Sequence, residues 1–167
     1  MRRSNNQYIG RFAPSPSGGL HFGSLVSAIA SYVDARQHFG QWILRIDDID
    51  QPRTKSGAAE SIIHTLNAFG FKWNNSIQWQ SERISQYEQV IQELKDRNAV
   101  YICACSRKEI SKIAASGVDG MIYPGTCRDQ GHKENSSRAI RIRTNSERIY
   151  FSDRVFGHFE QNLETLS

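Results

Sequence analysis

No uninterrupted apolar stretch in this chain approaches the roughly 18 residues that a membrane-crossing helix needs, so no span is expected. Arg2 and Arg3 are not followed by the apolar segment that would make a secretory signal of them. Basic residues are scattered and never gather into a run, which removes a nucleic-acid-binding arm. No internal repeat and no low-complexity tract is visible. Cysteine is scarce: three residues, an odd number, all between Cys103 and Cys127. That is no disulfide framework, and in a reducing compartment such a cluster suggests a metal. Taken together these absences lead us to expect a cytoplasmic protein.

What is present is room for one ordinary domain, 167 residues, with 21 Lys+Arg against 17 Asp+Glu and a net charge of +4. The balance is compatible with a nucleotide or RNA partner and with many proteins that bind neither.

The most informative stretch runs from Gly10 to Ser24. A short apolar run, predicted as a strand over 7–13, ends in a loop of Pro, Ser and Gly. The loop feeds a helix, predicted over 20–38, whose first turn carries His21. The free N–H groups at a helix start and the helix dipole favour an anion there, and Gly18, Gly19 and Gly23 let a ligand approach the backbone. His21 can donate a hydrogen bond to a phosphate. On spacing alone the same layout also fits a plain strand–turn–helix corner.

Leu25, Ile29, Tyr32 and Val33 recur at helical spacing and are the expected buried face. Gly40 stops the helix, and 42–46 is a short apolar-rich strand. Strand, helix and strand together make a βαβ unit with a right-handed crossover. In an open parallel sheet ligands lie beyond the carboxyl ends of the strands, so 11–17 and 47–50 should border one crevice. Further on, helices are expected over 58–69, with Ile62, Ile63 and Leu66 inward, and over 81–97, with Ile84, Tyr87, Val90, Ile91 and Leu94 on one face. The segments 71–79 and 101–105 read as extended. Ser106 and Glu109 fit a capping box. The stretch 117–134 reads as loop. Over 139–143, Ile140 and Ile142 fall on one face and Arg141 and Arg143 on the other, as in a half-buried strand, and 149–159 reads as another strand with a turn.

Two side-chain clusters carry chemistry. Asp47, Asp48 and Asp50 follow the second strand, and three carboxylates so close repel one another unless cations or donors offset them. They could receive an ammonium group, or simply make a polar strand exit with a capping Asp. Cys103, Cys105 and Cys127 could hold Zn²⁺ if a fourth ligand joins them; ligand chemistry alone nominates His132. The alternative is three unrelated thiols.

His21-Phe22-Gly23-Ser24 resembles the first signature of the class I aminoacyl-tRNA synthetases, and the wording from Gly10 to Ser24 is similar to their glutamate branch. Within it the chain most resembles the short, anticodon-domain-less glutamyl-queuosine members, whose Cys-x-Cys and Tyr-Pro-Gly-Thr-Cys-Arg phrases match Cys103, Cys105 and Tyr123 to Arg128. The resemblance implies an α/β, Rossmann-like class I catalytic fold with an incomplete parallel sheet and a zinc-binding inserted subdomain. It divides the chain into 1–98 (nucleotide and glutamate binding), 99–160 (insertion) and 161–167 (start of the returning segment).

It further implies glutamate activation by ATP with Mg²⁺, through glutamyl-adenylate, and transfer of glutamate to queuosine in tRNA(Asp). His21 and Ser24 would be catalytic. Pro14, Ser15, Pro16, Ser17, Gly18 and Gly23 would join them around ATP. Arg11, Phe12, Ala13, Pro14, Ser15 and Asp47 would hold glutamate, with Arg11 on a carboxylate and Asp47, one methylene shorter than the branch's Glu, on the α-amino group. Structural Zn²⁺ would sit on Cys103, Cys105, Tyr123 and Cys127, with His132 as the fallback for Tyr123. The complete protein would be a monomer without membrane contact. The family's second signature, Lys-x-Ser-Lys, does not occur in these 167 residues, so this polypeptide alone is expected not to form adenylate at a useful rate. A glutamyl-tRNA synthetase fragment charging a 3′ end, or a zinc-stapled nucleotide- or RNA-binding module without catalysis, are the competing readings.

Overall fold

The computed structural model describes residues 8–117, 120–135 and 137–163. The chain forms two compact units, Met1–Glu88 and Gln89–Ser167. The division falls inside a helix, earlier than the 98/99 boundary expected from the sequence. Residues 164–167, expected to belong to the returning segment, lie outside the described residues.

In the first unit the order is β1 (Ile9–Phe12), α1 (Phe22–Gln37), β2 (Gln41–Ile46), α2 (Ala58–Ala68) and β3 (Gln78–Trp79), then a 3₁₀ turn at Ser81–Arg83 leading into α3 (Ile84–Asp96). The strands form one parallel sheet in the order β1-β2-β3, with Phe12 level with Leu44 and Ile46 level with Trp79. β2 alternates, so that Trp42, Leu44 and Ile46 are fully buried. Around them pack Phe12, Ala28, Ala35, Ile62, Leu66 and Phe71. Trp42 is the hub: its ring stacks on Phe71 at 5.4 Å and takes the edge of Tyr32 at 5.1 Å. Its indole N–H donates to Ser31 Oγ at 3.0 Å.

The buried face of α1 keeps half of the row its periodicity picks out: Leu25 and Tyr32 pack against the core. Ile29 and Val33 are 45% and 55% exposed, whereas Ala28 and Ala35 are fully buried. The cause is close approach. A Cβ on Gly10 would lie 2.9 Å from Ala35 Cβ and 3.1 Å from the Ser31 carbonyl oxygen, so helix and strand meet where both are small. In 71–79 only Gln78 and Trp79 are strand. Before them the chain turns back: the Asn74 N–H donates to the Trp42 carbonyl, and Asn74 Oδ1 accepts from the Trp42 N–H. α3 has no fully buried residue; Tyr87, Ile91 and Leu94 are half-buried, and Ile84 and Val90 are exposed.

The second unit contains β4 (Val100–Cys103), α4 (Arg107–Ile113), β5 (Ala115–Gly117), β6 (Gly120–Ile122), β7 (Ala139–Ile142), β8 (Arg148–Asp153) and β9 (Gly157–Asn162). They pair antiparallel as β4–β7, β5–β6 and β8–β9. The β5–β6 pair reaches into the expected 117–134 loop, since strands of three residues are too short to show a hydrophobic period. The Ser106 capping box is present in full. Along 139–143 the apolar face is not uniformly the buried one: Ile140 is half-buried but Ile142 is 65% exposed, while Arg141 in β7 and Arg143 just beyond it are half-buried over the rings of Tyr123 and Tyr101. Among the described residues no helix is long and apolar enough to cross a membrane.

Candidate functional site

The loop between β1 and α1 borders a cavity of about 380 Å³. Phe12, Ala13, Pro14, Ser15, Ser17, Gly18, His21 and Ser24 line it, so most of the residues expected around ATP and glutamate come together. Arg11, Pro16, Gly23 and Asp47 do not line it. Backbone bonds hold the loop against the exit of β2: the Asp47 N–H donates to the Pro14 carbonyl at 3.0 Å and the Lys55 N–H to the Pro16 carbonyl at 2.9 Å. The two loops therefore adjoin, as strand ends in a parallel sheet should.

His21 is the N-cap of α1 rather than a first-turn residue. Its Nδ1 accepts from the Ser24 N–H at 3.2 Å. A nitrogen that accepts carries no proton, so in the neutral ring the proton is on Nε2, which lies 3.1 Å from Ser24 Oγ. His21 and Ser24 thus form one donor pair at the helix start. A Cβ at Gly23 would touch the His21 ring at 3.3 Å, so glycine there leaves the ring its seat. The first turn of α1 has no acidic residue, which leaves the positive end of the helix dipole free to act on an anion.

The three aspartates separate into distinct roles. Both Asp47 oxygens are bonded to Arg45, at 2.5 Å from Nε and 2.9 Å from the second guanidinium nitrogen. This bond is the chief cause of the raised Arg45 pKa, partly offset by burial. A substrate ammonium at Asp47 would have to share oxygens already engaged, a constraint that the sequence does not reveal. Asp48 accepts from the Ser81 N–H at 2.9 Å and the Ser81 hydroxyl at 2.6 Å, joining the exit of β2 to the 3₁₀ turn. Asp50 pairs with Arg53 at 2.6 Å, and Arg53 stands on the cavity lip. Sequence reasoning missed Arg53; the only signal was a cation just after the Gln51-Pro52 break.

Burial acts to raise the Asp48 pKa, but the Ser81 bonds outweigh it and hold it below its ordinary value. A carboxyl depressed in the fold stabilises above the ordinary range, about 3.9, and loses that contribution as pH falls through its lower folded value. Ser81→Ala is therefore expected to cost about 1 kcal/mol at neutral pH. In urea unfolding the gap between variant and wild type should narrow progressively as pH falls below the ordinary carboxylate range; a gap unchanged at acid pH would contradict the assignment.

In the second unit Cys103, Cys105 and Cys127 lie with their sulfurs within 4.8 Å of one another, and the Cys105 and Cys127 sulfurs are 3.4 Å apart. The Tyr123 hydroxyl is 3.2 Å from Cys103 Sγ and 3.5 Å from Cys105 Sγ, and accepts from the Cys127 N–H at 3.1 Å. Gly125, at φ +74°, lets the Tyr-Pro-Gly-Thr-Cys turn fold back to make that last bond. Around a tetrahedral Zn²⁺, Zn–S lengths of about 2.3 Å put sulfurs about 3.8 Å apart and an oxygen ligand about 3.5 Å from each. The four side chains fit that set. Among the described residues the group contains no histidine, so His132 is not one of its members.

Burial opposes ionisation of Cys103, yet hydrogen bonds from Tyr123 and Arg141 hold its thiol down at about 7. Tyr123 lowers Cys105 as well, but Cys127, burial and the nearby Cys103 together push it up. Burial, then the bonds to the thiols, push the Tyr123 phenol well up. Three thiols and a phenol hydroxyl drawn this close together are a donor set that one divalent cation could bridge.

The family model for "tRNA synthetases class I (E and Q), catalytic domain" matches residues 9–166. The chain belongs to this family. Relatives named Glutamyl-Q tRNA(Asp) synthetase, from Aromatoleum aromaticum and from Neisseria meningitidis serogroup B, are each 48% identical to it. The matches cover 95% and 93% of this chain but 50% and 54% of those proteins, so the chain spans about half the length of the curated relatives it matches. A glutamate-tRNA synthetase from Elizabethkingia anophelis superposes with a TM-score of 0.78 at 24% identity, over 96% of this chain and 38% of that one. This likeness supports the fold. The mixed α/β catalytic domain of a class I synthetase, a ligase family, is therefore the frame in which the β1–α1 loop sits.

Proposed function

We propose that this class I synthetase chain carries the ATP- and glutamate-binding wall of an enzyme that activates glutamate as glutamyl-adenylate and passes it to queuosine in tRNA(Asp). The observation that carries the reading is the His21–Ser24 donor pair at an uncompensated helix start, opening on the loop cavity. The names of its nearly half-identical relatives supply the acceptor.

In this reading the glutamate carboxylate attacks the α-phosphorus of ATP, the bond to the pyrophosphate oxygen breaks, and pyrophosphate leaves. The chain's own part is positioning and charge stabilisation. His21 Nε2–H, the Ser24 hydroxyl and the helix N–H groups hold phosphate oxygens, and Arg53 on the lip adds a cation. Ser15 and Ser17 offer hydroxyls in the cavity. Arg11, exposed beside Phe12 and outside the cavity lining, has no ion pair among the described residues, which leaves its guanidinium available to a glutamate carboxylate. Asp47 takes the ammonium while still held by Arg45. Mg²⁺ accompanies ATP. Cys103, Cys105, Cys127 and Tyr123 hold structural Zn²⁺, with no open position for water, and pin the insertion.

The test separates binding from chemistry. ATP with Mg²⁺ is expected to bind the 167-residue chain, and His21→Asn to weaken that binding about tenfold, because Asn caps a helix but lacks the Nε2 donor. Unchanged affinity would remove the loop assignment. Without a Lys-x-Ser-Lys segment, the same chain should support no glutamate-dependent pyrophosphate exchange. A chain of the relatives' full length should exchange, and should label tRNA(Asp) bearing queuosine but not the same tRNA with guanine at that position. Labelling of both would point to 3′-end charging instead.

A further inference from the structure

The thiol cluster has a neighbour that no ligand set includes. β7 pairs Arg141 with Tyr101 of β4, and Ala139 with Cys103, so Arg141 is two residues along the strand from the level of the first thiol. Its guanidinium carbon lies 4.2 Å from the centre of the Tyr123 ring, whose hydroxyl is 3.2 Å from Cys103 Sγ, so its positive charge acts on that thiol. It is half-buried on a strand whose Ile142 faces out, the reverse of what hydrophobicity alone would place inward. Its Nε is buried with no hydrogen-bond partner among the described residues. An arginine turned inward with an unmet N–H costs free energy unless charge on nearby groups offsets it.

The other two arginines of this region are directed elsewhere. Arg128 donates to the Thr144 carbonyl and hydroxyl, and Arg143 donates to Asp129 and to the Arg128 carbonyl. Arg141 is the one whose head lies on the ring of the tyrosine that touches the thiols. The charge arithmetic gives it a purpose. Three thiolates and one divalent cation leave a net charge of −1 if the Tyr123 hydroxyl stays protonated, and −2 if it does not. Either is unfavourable in a site as enclosed as Cys103 and Cys127, both nearly inaccessible to solvent. One guanidinium beside Cys103 removes a unit of it.

We propose that Arg141 is a positioning residue of the metal site: lying on the ring of Tyr123, whose hydroxyl touches the thiols, it balances the thiolate charge and fixes the tyrosine for a soft divalent cation. The inference rests on the metal reading above, and the experiment keeps the two apart. Zn²⁺ content of the purified chain and chelator competition give stoichiometry and affinity. Co²⁺ substitution counts bound thiolates by their charge-transfer absorption. One Zn²⁺ per wild-type chain is expected. Arg141→Met, which keeps the length and loses the charge, should weaken Zn²⁺ affinity at least tenfold, and Arg141→Lys should recover most of it. Arg143→Met, just beyond the same strand and over Tyr101, serves as the control for packing loss and should leave Zn²⁺ affinity within about threefold.

Wild-type chain without stoichiometric Zn²⁺ would overturn the metal reading, and this proposal with it. Normal Zn²⁺ binding with undiminished affinity in Arg141→Met would overturn only the role of Arg141. So would equal losses in the Arg141 and Arg143 variants. Should Arg141→Met fail to fold, Arg141→Lys decides. Native circular dichroism with near-wild-type affinity supports the charge role, and native circular dichroism with tenfold weaker binding overturns it.

Discussion

Trp42→Ala is expected to remove about 3–5 kcal/mol from the first unit, enough to leave much of it unfolded under ordinary conditions. The side chain is fully buried, stacks between Phe12 and Phe71, and takes the Tyr32 edge, so its loss opens a cavity bordered by three rings. It also takes the indole donor away from Ser31. Trp42→Phe keeps most of the stacking and should cost clearly less. Urea unfolding of this unit, read by protection of the β2 amides, gives both values; a loss below about 1 kcal/mol for Trp42→Ala would mean the aromatic cluster is not its core. Because Phe12 rests on Trp42 and also lines the loop cavity, ATP binding should weaken along with stability.

The second large effect is expected from Cys103→Ser. Among the described residues, the buried core of the second unit is only Tyr101, Cys103 and Cys127, with Cys105 and Tyr123 packed against them. So small a core needs a staple. Structural Zn²⁺ sites bind with apparent free energies of about 10–16 kcal/mol near pH 7, and that binding is folding free energy. Cys103→Ser, or removal of Zn²⁺ by a chelator, should therefore abolish amide protection in β4 and β7 while leaving β2 protected. If β4 and β7 stay protected in the metal-free chain, the metal is not what holds this unit.

Much of the first unit is legible in the chain itself. The β2 pattern, the apolar spacing of Ile62 and Leu66 in α2, and the Pro-Ser-Gly loop ahead of His21 are local signals, and the structure has each in its expected place. The buried face of α1 is legible only at Leu25 and Tyr32, because periodicity counts apolar residues and not distance. At Gly10 the helix lies too close for Ile29 or Val33, and alanines take the contact. β7 departs from its pattern for a related reason. Arg141, and Arg143 just beyond the strand, lie over two tyrosine rings that are far away in sequence.

By itself the sequence determined which chemistry the chain can offer: a His and Ser at a helix start, three thiols with a tyrosine, a run of aspartates, and membership of a synthetase family. Only the tertiary structure decided which of those groups are already engaged. Asp48 is tied to Ser81, 33 residues further on, and Asp47 is held by Arg45, whereas the loop serines are left facing a cavity. Spacing along the chain reports helix and strand faces, because these repeat every few residues. A hydrogen bond between distant segments has no period, and so only the folded chain could place it.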